Sequence, residues 1–374
     1  MQNRRHSLSI GRLAALALVS AGLGACSNVN LDYDASKAHH RPSGFQNNDI
    51  EFEPLGVAEL LCWRWRAASE GLPPPPHAPI PRVAADIAFL RANAGAAAEP
   101  AVTWIGHSTV LAQVGGLNLL TDPVFSARAS PLAFVGPKRQ QPPAVALAEL
   151  PHIELVLVSH NHYDHLDAGS VDALNAQAGG PPLFIVPLGI GPWLAGRGIV
   201  NVAELDWWQS RTLRGPQGEV EVMLVPAQHW SGRGLTDRMH TLWGSFAVFA
   251  PDAHLFFAGD TGYSRDFANA GRRFAERQQP SSGGGFDLAL LPIGAYEPRS
   301  LMARQHVNVD EAVMIHLDLG AKRSLGVHWG TFELTDEALD AAPLALPAAR
   351  SAHGVSDGAF LTIAIGETLR LKPR

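Results

Sequence analysis

Short apolar runs, separated by glycine, proline and polar turns, recur along this chain from about residue 101 onwards. Residues 109–114 and 117–121 flank Gly115-Gly116, an arrangement typical of a β-hairpin. Residues 166–177 have the composition of a short helix. The predicted strands cover residues 101–105, 109–114, 117–121, 153–158, 183–187, 220–227, 254–258, 288–292 and 323–327. Strands that alternate with turns and short helices indicate an α/β domain.

The N-terminal part of the chain lacks this pattern and contains two predicted helices. Residues 54–68 form an amphipathic helix, and residues 83–93 form a shorter one. Residues 27–50 are polar and without pattern, which is typical of a tether. We therefore divide the chain into a tether with a helical extension at 27–99 and a main domain at 100–374.

The predicted helix at 54–68 has two alternative surroundings. Trp63 and Trp65 pack on the main domain in the first alternative. In the second they face lipid, together with Arg64 and Arg66. Packing on the main domain is favoured, because a helix with two tryptophans is common in protein cores.

The first 26 residues have the features of a lipoprotein signal peptide. Arg4-Arg5 precede an apolar run at residues 13–23, and Leu-Gly-Ala then precedes Cys26. This order resembles the lipobox of bacterial lipoproteins, in which the cysteine is lipidated and becomes the first residue. An ordinary signal peptide with a cysteine near its cleavage site is the alternative. Because Ser27 follows, we expect an outer-membrane lipoprotein that faces the periplasm and is attached through Cys26.

Composition narrows the classes of function. The chain has 374 residues and a net charge of -6, which does not suggest nucleic acid as a partner. No internal stretch is long enough to span a membrane. The chain has only two cysteines, Cys26 and Cys62. If Cys26 is lipidated, no internal disulfide can form. Cys62 is predicted to be a small core residue. The sequence leaves open whether the chain forms a homodimer.

Sixteen histidines prompt a search for metal ligands, and residues 159–167 contain the densest group. His160, His162, Asp164 and His165 follow the predicted strand at 153–158 directly. His160 and His162 are two residues apart, so in an extended turn their side chains can point the same way, and Asp164 and His165 then turn towards a second point. One short loop thus offers ligands to two metal ions. Imidazole with carboxylate suits zinc best among the common metals. A polar turn that is rich in histidine by chance is the alternative, and four ligand types at this spacing argue against it.

Three more ligand types stand at the ends of predicted strands. His229, Asp260 and His328 each follow an apolar run, and each is followed within a few residues by Gly, Ser or Thr. A lone histidine at a strand end is more often structural or solvated. Together with the first group, however, they complete a set of five histidines and two aspartates. Strand ends that meet on one side of a sheet can assemble a site from distant sequence.

These seven residues resemble the ligands of the metallo-β-lactamase superfamily of binuclear hydrolases. Longer blocks are similar to one branch, the N-acyl-phosphatidylethanolamine-hydrolysing phospholipase D family. These blocks lie at residues 120–131, 136–139, 159–167, 205–208, 228–230, 242–245, 256–263, 292–299, 305–307 and 328–332. The resemblance implies an αββα sandwich of two mixed sheets flanked by helices, with a binuclear metal site at the strand ends.

The resemblance also implies a role for each residue. One zinc takes His160, His162 and His229; the other takes Asp164, His165 and His328; and Asp260 bridges the two. Asp260 and Asp164 hold the metal geometry, and one of them is expected to assist proton transfer. Tyr163 and His306 match positions that contact the phospholipid head group, the alternatives being a packing tyrosine and a helix-cap histidine. His107 is expected to be a structural residue beside the site.

The function implied is zinc-dependent hydrolysis of a phosphodiester. Two Zn²⁺ ions lower the pKa of a bridging water, and the resulting hydroxide attacks a phospholipid to release phosphatidic acid and an N-acylethanolamine. A lipidated enzyme would meet such substrates at the membrane. The alternatives are a lactone or amide hydrolase of the same fold, and a non-catalytic zinc-binding lipoprotein.

Overall fold

The computed structural model describes residues 29–51, 56–234 and 236–374. The predicted signal peptide at 1–26, with its lipidation site Cys26, lies outside the described residues. Within the described ranges, no helix has both the length and the apolar character needed to cross a membrane.

Two seven-stranded mixed sheets make up most of the fold. The strands are β1 (His40–Arg41), β2 (Gly44–Phe45), β3 (Ala101–Gly106), β4 (Thr109–Val114), β5 (Leu117–Thr121), β6 (Leu155–Leu157), β7 (Leu183–Pro187), β8 (Val202–Leu205), β9 (Ser210–Gly215), β10 (Gly218–Val225), β11 (Ser245–Phe249), β12 (His254–Phe257), β13 (Leu288–Pro292), β14 (Ser324–Val327), β15 (Phe360–Leu361) and β16 (Thr368–Arg370). The first sheet has the order β16-β3-β4-β5-β6-β7-β8, and the second has the order β15-β14-β13-β12-β11-β10-β9.

Helices flank the two sheets. They are α1 (Val57–Glu70), α2 (Ile87–Ala92), α3 (Ala168–Asn175), α4 (Gly191–Ala195), α5 (Arg265–Arg273), α6 (Arg299–Met302), α7 (Val309–Asp318) and α8 (Ala341–Ala352). Helices α3 and α4 contribute to the core on the first sheet, and α5, α7 and α8 contribute to the core of the second.

Alternate residues of β6 show how these layers form. Leu155 and Leu157 belong to the core that the two sheets share, which also contains Phe246 of β11. Val156, between them, belongs to a separate core with Leu174 of α3. Because successive side chains of a strand point to opposite faces, an uninterrupted apolar run covers both faces of the sheet. The predicted αββα sandwich is confirmed.

Each sheet is antiparallel on one side and parallel on the other. Strands β5 to β8 run parallel in the first sheet, and β12 to β15 run parallel in the second. The loop at 159–167 follows β6, Asp260 follows β12 and His328 follows β14. The carboxyl ends of parallel strands are where α/β sheets place their ligands, and both sheets contribute to one site here.

All of the predicted strands are present, with ends that differ by a few residues. Strands β1, β2, β8, β9, β11, β15 and β16 were not predicted. Strand β9, Ser-Arg-Thr-Leu-Arg-Gly, is a polar edge strand whose residues are mostly exposed, so it carries no apolar pattern.

Helix α1 packs on the main domain through one face only. The Trp63 indole is buried and donates to both carboxylate oxygens of Asp336, at 2.9 and 3.0 Å. Arg66 donates to the same carboxylate at 3.2 Å. Trp65 lies on the other face with 73% of its surface exposed. Cys62 is exposed as well, so its predicted place in the core is wrong: the apolar run 60–63 wraps around the helix, and the buried face passes through Trp63.

The segment 37–50 binds the main domain, which contradicts the tether expected there. Lys37, His39 and His40 surround the buried carboxylate of Asp206, with His39 Nε2 at 2.7 Å and His40 Nε2 at 3.1 Å. Asn47, further along, forms two hydrogen bonds with the backbone of His229. These contacts are polar and specific, so they leave no hydrophobic period in the sequence.

Candidate metal centre

The loop after β6 carries four of the predicted ligands, and a buried carboxylate holds its first turn. Asp122, at the end of β5, accepts hydrogen bonds from Ser159 N at 2.7 Å and Ser159 Oγ at 2.6 Å. Its second oxygen also lies 2.6 Å from His165 Nδ1. Asp122 thus orients one ligand directly and fixes the residue before another, His160.

Strand ends of the second sheet bring the remaining ligands to this loop, since His229, Asp260 and His328 follow β10, β12 and β14. The His229 Nδ1 atom lies 2.8 Å from the carbonyl oxygen of Gln305, and Asn47 clamps the His229 backbone at N and O. His328 has a φ of 64°, a left-handed conformation that non-glycine residues adopt rarely. His107 and Asp122 share this feature, with φ values of 54° and 32°. Such backbone strain clusters at functional sites.

The predicted ligands fall into two groups that adjoin one another. In the imidazole group (His160, His162 and His229), His162 Nδ1 lies 2.8 Å from His160 Nε2 and 3.3 Å from His229 Nε2. In the carboxylate group (Asp164, His165 and His328), the two Nε2 atoms lie 3.2 Å apart, each 3.4 Å from Asp164 Oδ2.

Asp260 lies between the two groups. Its Oδ2 is 3.0 Å from His165 Nε2, and its Oδ1 is 3.1 Å from His328 Nε2. One of its oxygens, a His229 ring nitrogen and a His306 ring nitrogen lie within 4.8 Å of one another. The structure therefore brings all seven predicted ligands together, with Asp260 placed to contact both groups.

The hydrogen-bond pattern of these residues fits metal ions. Ser159 Oγ donates to Asp122, so it accepts from His160 Nδ1, and the lone pair of His160 is left on Nε2. His229 Nδ1 donates to a carbonyl, so its lone pair is also on Nε2. Both lone pairs point at His162, whose own Nε2 has no hydrogen-bond partner among the described residues. His162 Nδ1 can carry at most one proton, so it can donate to only one of these two lone pairs, whereas a cation can accept both.

The two groups differ in charge. Burial lowers the pKa of His229 to about 4, although Asp260 opposes this. Burial acts the same way on His328, but there Asp260 and Asp164 outweigh it and raise the pKa to about 9. Burial alone raises the pKa of Asp260 and Asp164, and the neighbouring imidazoles outweigh it and hold both pKa values well below the ordinary range. Two ionised carboxylates are available to neutralise cations.

His107 lies beside the carboxylate group. Its Nε2 is 3.1 Å from Asp164 Oδ2, and its ring lies 4.0 Å from that of His328. Its carbonyl oxygen accepts a hydrogen bond from the His328 backbone. Burial, followed by the charge of His328, lowers the pKa of His107 to about 3. Its position is compatible with the expected structural role, and its distances also add it to the residues that could hold a metal.

Tyr163 and His306 line the cavity above the ligands. The Tyr163 hydroxyl donates to the carbonyl oxygen of Arg233 at 2.8 Å, as expected of a packing tyrosine. His306 Nδ1 lies 3.8 Å from Asp260 Oδ2 and has no hydrogen-bond partner among the described residues. The helix-cap alternative for His306 is wrong, because the Asn308 side chain caps α7 by accepting from Glu311 N.

A cavity of about 490 Å³ opens over the site. His162, Asp164 and Asp260 contribute to its lining. Its other lining side chains include the apolar group Leu60, Trp63, Trp230, Leu301, Met302 and Leu334. The cavity can therefore hold an apolar molecule with a polar group against the ligands.

Several residues of this site were not predicted from the sequence. Asp122 and Ser159 are adjacent to predicted features, one ending a strand and the other preceding His160. A polar residue next to a cluster of ligands is the signal that could have identified both. Asn47 and the Gln305 carbonyl act from distant segments and left no such signal.

Comparison with known proteins identifies relatives over most of the chain. The family model described as Beta-lactamase superfamily domain matches residues 117–329. Uncharacterised proteins of Mycobacterium tuberculosis and Mycobacterium bovis are 40% identical over 328 residues, or 86% of this chain and 82% of theirs. The N-acyl-phosphatidylethanolamine-hydrolyzing phospholipase D 1 of Caenorhabditis elegans is 38% identical over 276 residues, or 71% of this chain and 74% of that protein.

A solved structure supports the fold independently. The isothiocyanate hydrolase from Delia radicum gut bacteria superposes with a TM-score of 0.56 at 18% identity, over 73% of this chain and 99% of that chain. At this identity the likeness concerns the fold alone.

Proposed function

We propose that this chain, which belongs to the β-lactamase superfamily of metal-dependent hydrolases and within it to the N-acyl-phosphatidylethanolamine-hydrolysing phospholipase D family, is a zinc-dependent phosphodiester hydrolase. Its substrates are N-acyl-phosphatidylethanolamine-like phospholipids. The observation that carries the proposal is the cavity, in which metal-ligand side chains face a wall of apolar residues. A phospholipid has the same division, a phosphodiester next to acyl chains.

We propose two zinc ions: the residues of the imidazole group would hold one, those of the carboxylate group would hold the other, and Asp260 would be available to either. When bound there, they supply a water of lowered pKa and positive charge beside the phosphate. The protein supplies the geometry. Asp122 holds His165, and the Gln305 carbonyl holds His229, so these rings keep one orientation and one tautomer.

The cavity residues bind and orient the lipid. His306 lines the cavity beside Asp260, with its Nδ1 atom 3.8 Å from Asp260 Oδ2, so its ring is placed to orient the phosphate or the head group. The apolar side chains around Trp63 and Leu334 exclude water and accept acyl chains. In the reaction one water is added, the bond from phosphorus to the ethanolamine oxygen breaks, and a proton passes to that oxygen. The products are phosphatidic acid and an N-acylethanolamine.

We also propose that the lipidated Cys26 holds the enzyme on the periplasmic face of the outer membrane, where its substrates are concentrated. Replacement of Cys26 by serine is expected to move the protein from the membrane fraction to the soluble fraction. Unchanged fractionation of that variant would show that Cys26 is not the anchor.

The direct test is a lipid-product assay on purified, zinc-loaded protein. N-acyl-phosphatidylethanolamine in mixed micelles is expected to yield phosphatidic acid and N-acylethanolamine, measured by mass spectrometry. A chelator should abolish turnover, and zinc should restore it. A lactone and an amide serve as control substrates. Turnover of either control without the phospholipid would favour the carbonyl hydrolase, and no turnover of any substrate would favour a binding protein.

A further inference from the structure

Arg233 joins the two loops that carry most of the ligands, although it contacts no ligand side chain. It lies four residues after His229, on the loop that follows β10. Its Nη1 atom donates to the carbonyl oxygens of Asn161 and Leu166, both at 2.7 Å. These two carbonyls stand on either side of the segment 162–165, which supplies three of the seven ligands.

From this geometry we propose that Arg233 is a positioning residue for the metal centre: it holds the loop 160–166 in the conformation that binds metal. The inference uses the metal site of the proposed function and is independent of its substrate. A loop that turns three ligand side chains inward within four residues turns backbone carbonyls outward. Without partners those carbonyls would favour another loop conformation.

A guanidinium suits this position better than any other side chain. The Arg233 group is stacked between two rings, with its central carbon 4.0 Å from the centroid of Tyr163 and 4.8 Å from that of Trp193. A planar cation can stack on rings with its faces while its edge donates hydrogen bonds. A lysine ammonium at the same place can reach one carbonyl but has no face to stack.

The contacts between the two loops are reciprocal. The Tyr163 hydroxyl donates to the Arg233 carbonyl at 2.8 Å, and Gly232 N donates to the Asn161 side chain at 2.7 Å. With the two bonds from the guanidinium, four hydrogen bonds join a loop of the first sheet to a loop of the second. The loop of the first sheet carries His160 to His165, and that of the second sheet carries His229, so the same contacts fix the spacing within the imidazole group.

The chain offers a matched control in Arg197. Its guanidinium lies over the same ring, 5.1 Å from the centroid of Trp193, but it pairs with the exposed Asp172 and forms no hydrogen bond to either loop among the contacts described. Arg197→Gln therefore removes an arginine from the same tryptophan without removing a contact to the metal loop.

The experiment compares Arg233→Gln, Arg233→Lys and Arg197→Gln with the parent protein. Zinc dissociation constants are measured by competition with a chromophoric chelator, and hydrogen exchange of residues 160–166 is measured on the metal-free protein. Arg233→Gln is expected to weaken zinc binding by about 10- to 100-fold and to speed exchange of the loop. Arg233→Lys should give a smaller effect of the same kind, and Arg197→Gln should match the parent.

A purely structural role predicts something else: a lower melting temperature for Arg233→Gln with unchanged zinc affinity, and that result would overturn the inference. An equal loss of affinity in Arg197→Gln would also overturn it, because the effect would then come from packing on Trp193. If Arg233→Gln does not fold, Arg233→Lys decides: parent-like affinity rejects the role, and weakened affinity supports it. None of these measurements uses a lipid, so their results can be interpreted even if the protein has no phospholipase activity.

Discussion

The imidazole group and the carboxylate group are neighbours, yet they would hold a cation for different physical reasons. In the imidazole group, hydrogen bonds to Ser159 and to the Gln305 carbonyl aim neutral ring nitrogens at one point. In the carboxylate group, Asp164 and Asp260 supply negative charge to His165 and His328. The first group therefore depends on the direction of lone pairs and the second on charge.

The opposite pKa shifts of His229 and His328 express this difference. In the metal-free protein the lowered pKa leaves His229 neutral at pH 7, and the raised pKa leaves His328 protonated. A cation that enters the carboxylate group must displace a proton, whereas one that enters the imidazole group meets a free lone pair. Variants that change the direction of the ring lone pairs should therefore weaken binding of the ion in the imidazole group. Variants that change the charge should weaken binding of the ion in the carboxylate group.

Removal of Asp260 should have the largest effect on the metal centre, because its carboxylate lies beside both groups. Asp260→Ala is expected to reduce the metal content from about two ions per chain to near zero, and to lower turnover by more than about 100-fold. Metal content is measured by mass spectrometry after dialysis. Asp252→Asn, at a turn remote from the site, is the control, since the Asp252 carboxylate accepts a hydrogen bond from the backbone N–H of Gly115 in the turn between β4 and β5. Retained metal and turnover in Asp260→Ala would reject its bridging position.

Asp122→Asn should weaken metal binding in the carboxylate group more than in the imidazole group. The substitution keeps the shape of the side chain and removes the charge that faces His165 Nδ1. We expect about 10- to 100-fold weaker binding of the ion in the carboxylate group, and a smaller loss in the imidazole group because Asp122 also holds Ser159, the partner of His160 Nδ1. A stepwise chelator titration, read as metal remaining per chain, measures both affinities. An equal loss at both positions would show that the groups act as a single unit.

Asn47→Ala should act on the imidazole group from outside the main domain. It removes the hydrogen bonds that Asn47 makes with His229 N at 3.0 Å and with His229 O at 2.8 Å. The expected loss is about 1–3 kcal/mol in the free energy of unfolding, with weaker binding of the ion at His229. Urea unfolding and the same chelator titration provide the measurements. The neighbouring Asn48, which contacts Asp266 at 3.2 Å, gives the control Asn48→Ala.

The smallest effect on the metal centre should come from Asp206→Asn, because this substitution weakens the contacts of the segment 37–50 at a distance from the site. Burial alone would raise the pKa of Asp206, but hydrogen bonds from His39 and Lys37 outweigh it and hold the pKa below its ordinary value of 3.8. A carboxylate with a lowered pKa stabilises the fold above that ordinary value, and the contribution is lost as the pH falls below it. The metal-free parent should therefore be more stable than the variant at pH 7, and this difference should shrink towards pH 3. A difference that grows in acid would contradict the assignment.

Much of this protein was predictable because its strands are buried on both faces. The run Leu155-Val156-Leu157 has no polar position, so its strand and the loop after it were visible in the sequence. The ligands His160 to His165 were found because they are neighbours in one loop, and His229, Asp260 and His328 because each follows an apolar run. The resemblance to one hydrolase branch assigned them to two ions.

The rest was not predictable because it depends on contacts between distant segments. Cys62 looked like a core residue in its apolar run, and only the direction of α1 turned it towards solvent. The segment 37–50 looked like a tether, although polar contacts bind it to Asp206 and to the backbone of His229. Hydrogen bonds of this kind follow no period along the chain.

The sequence alone determined which side chains are candidates for the chemistry and which apolar runs become strands, because both properties are local. Only the tertiary structure decided how those side chains are oriented. The tautomers of His160 and His229, the charge around His328 and the clamp of Arg233 on the loop 160–166 arise from partners that are distant in sequence or follow from the folded backbone. A hydrogen bond and a buried charge depend on separations of a few ångströms, and those separations exist only after the two sheets have packed.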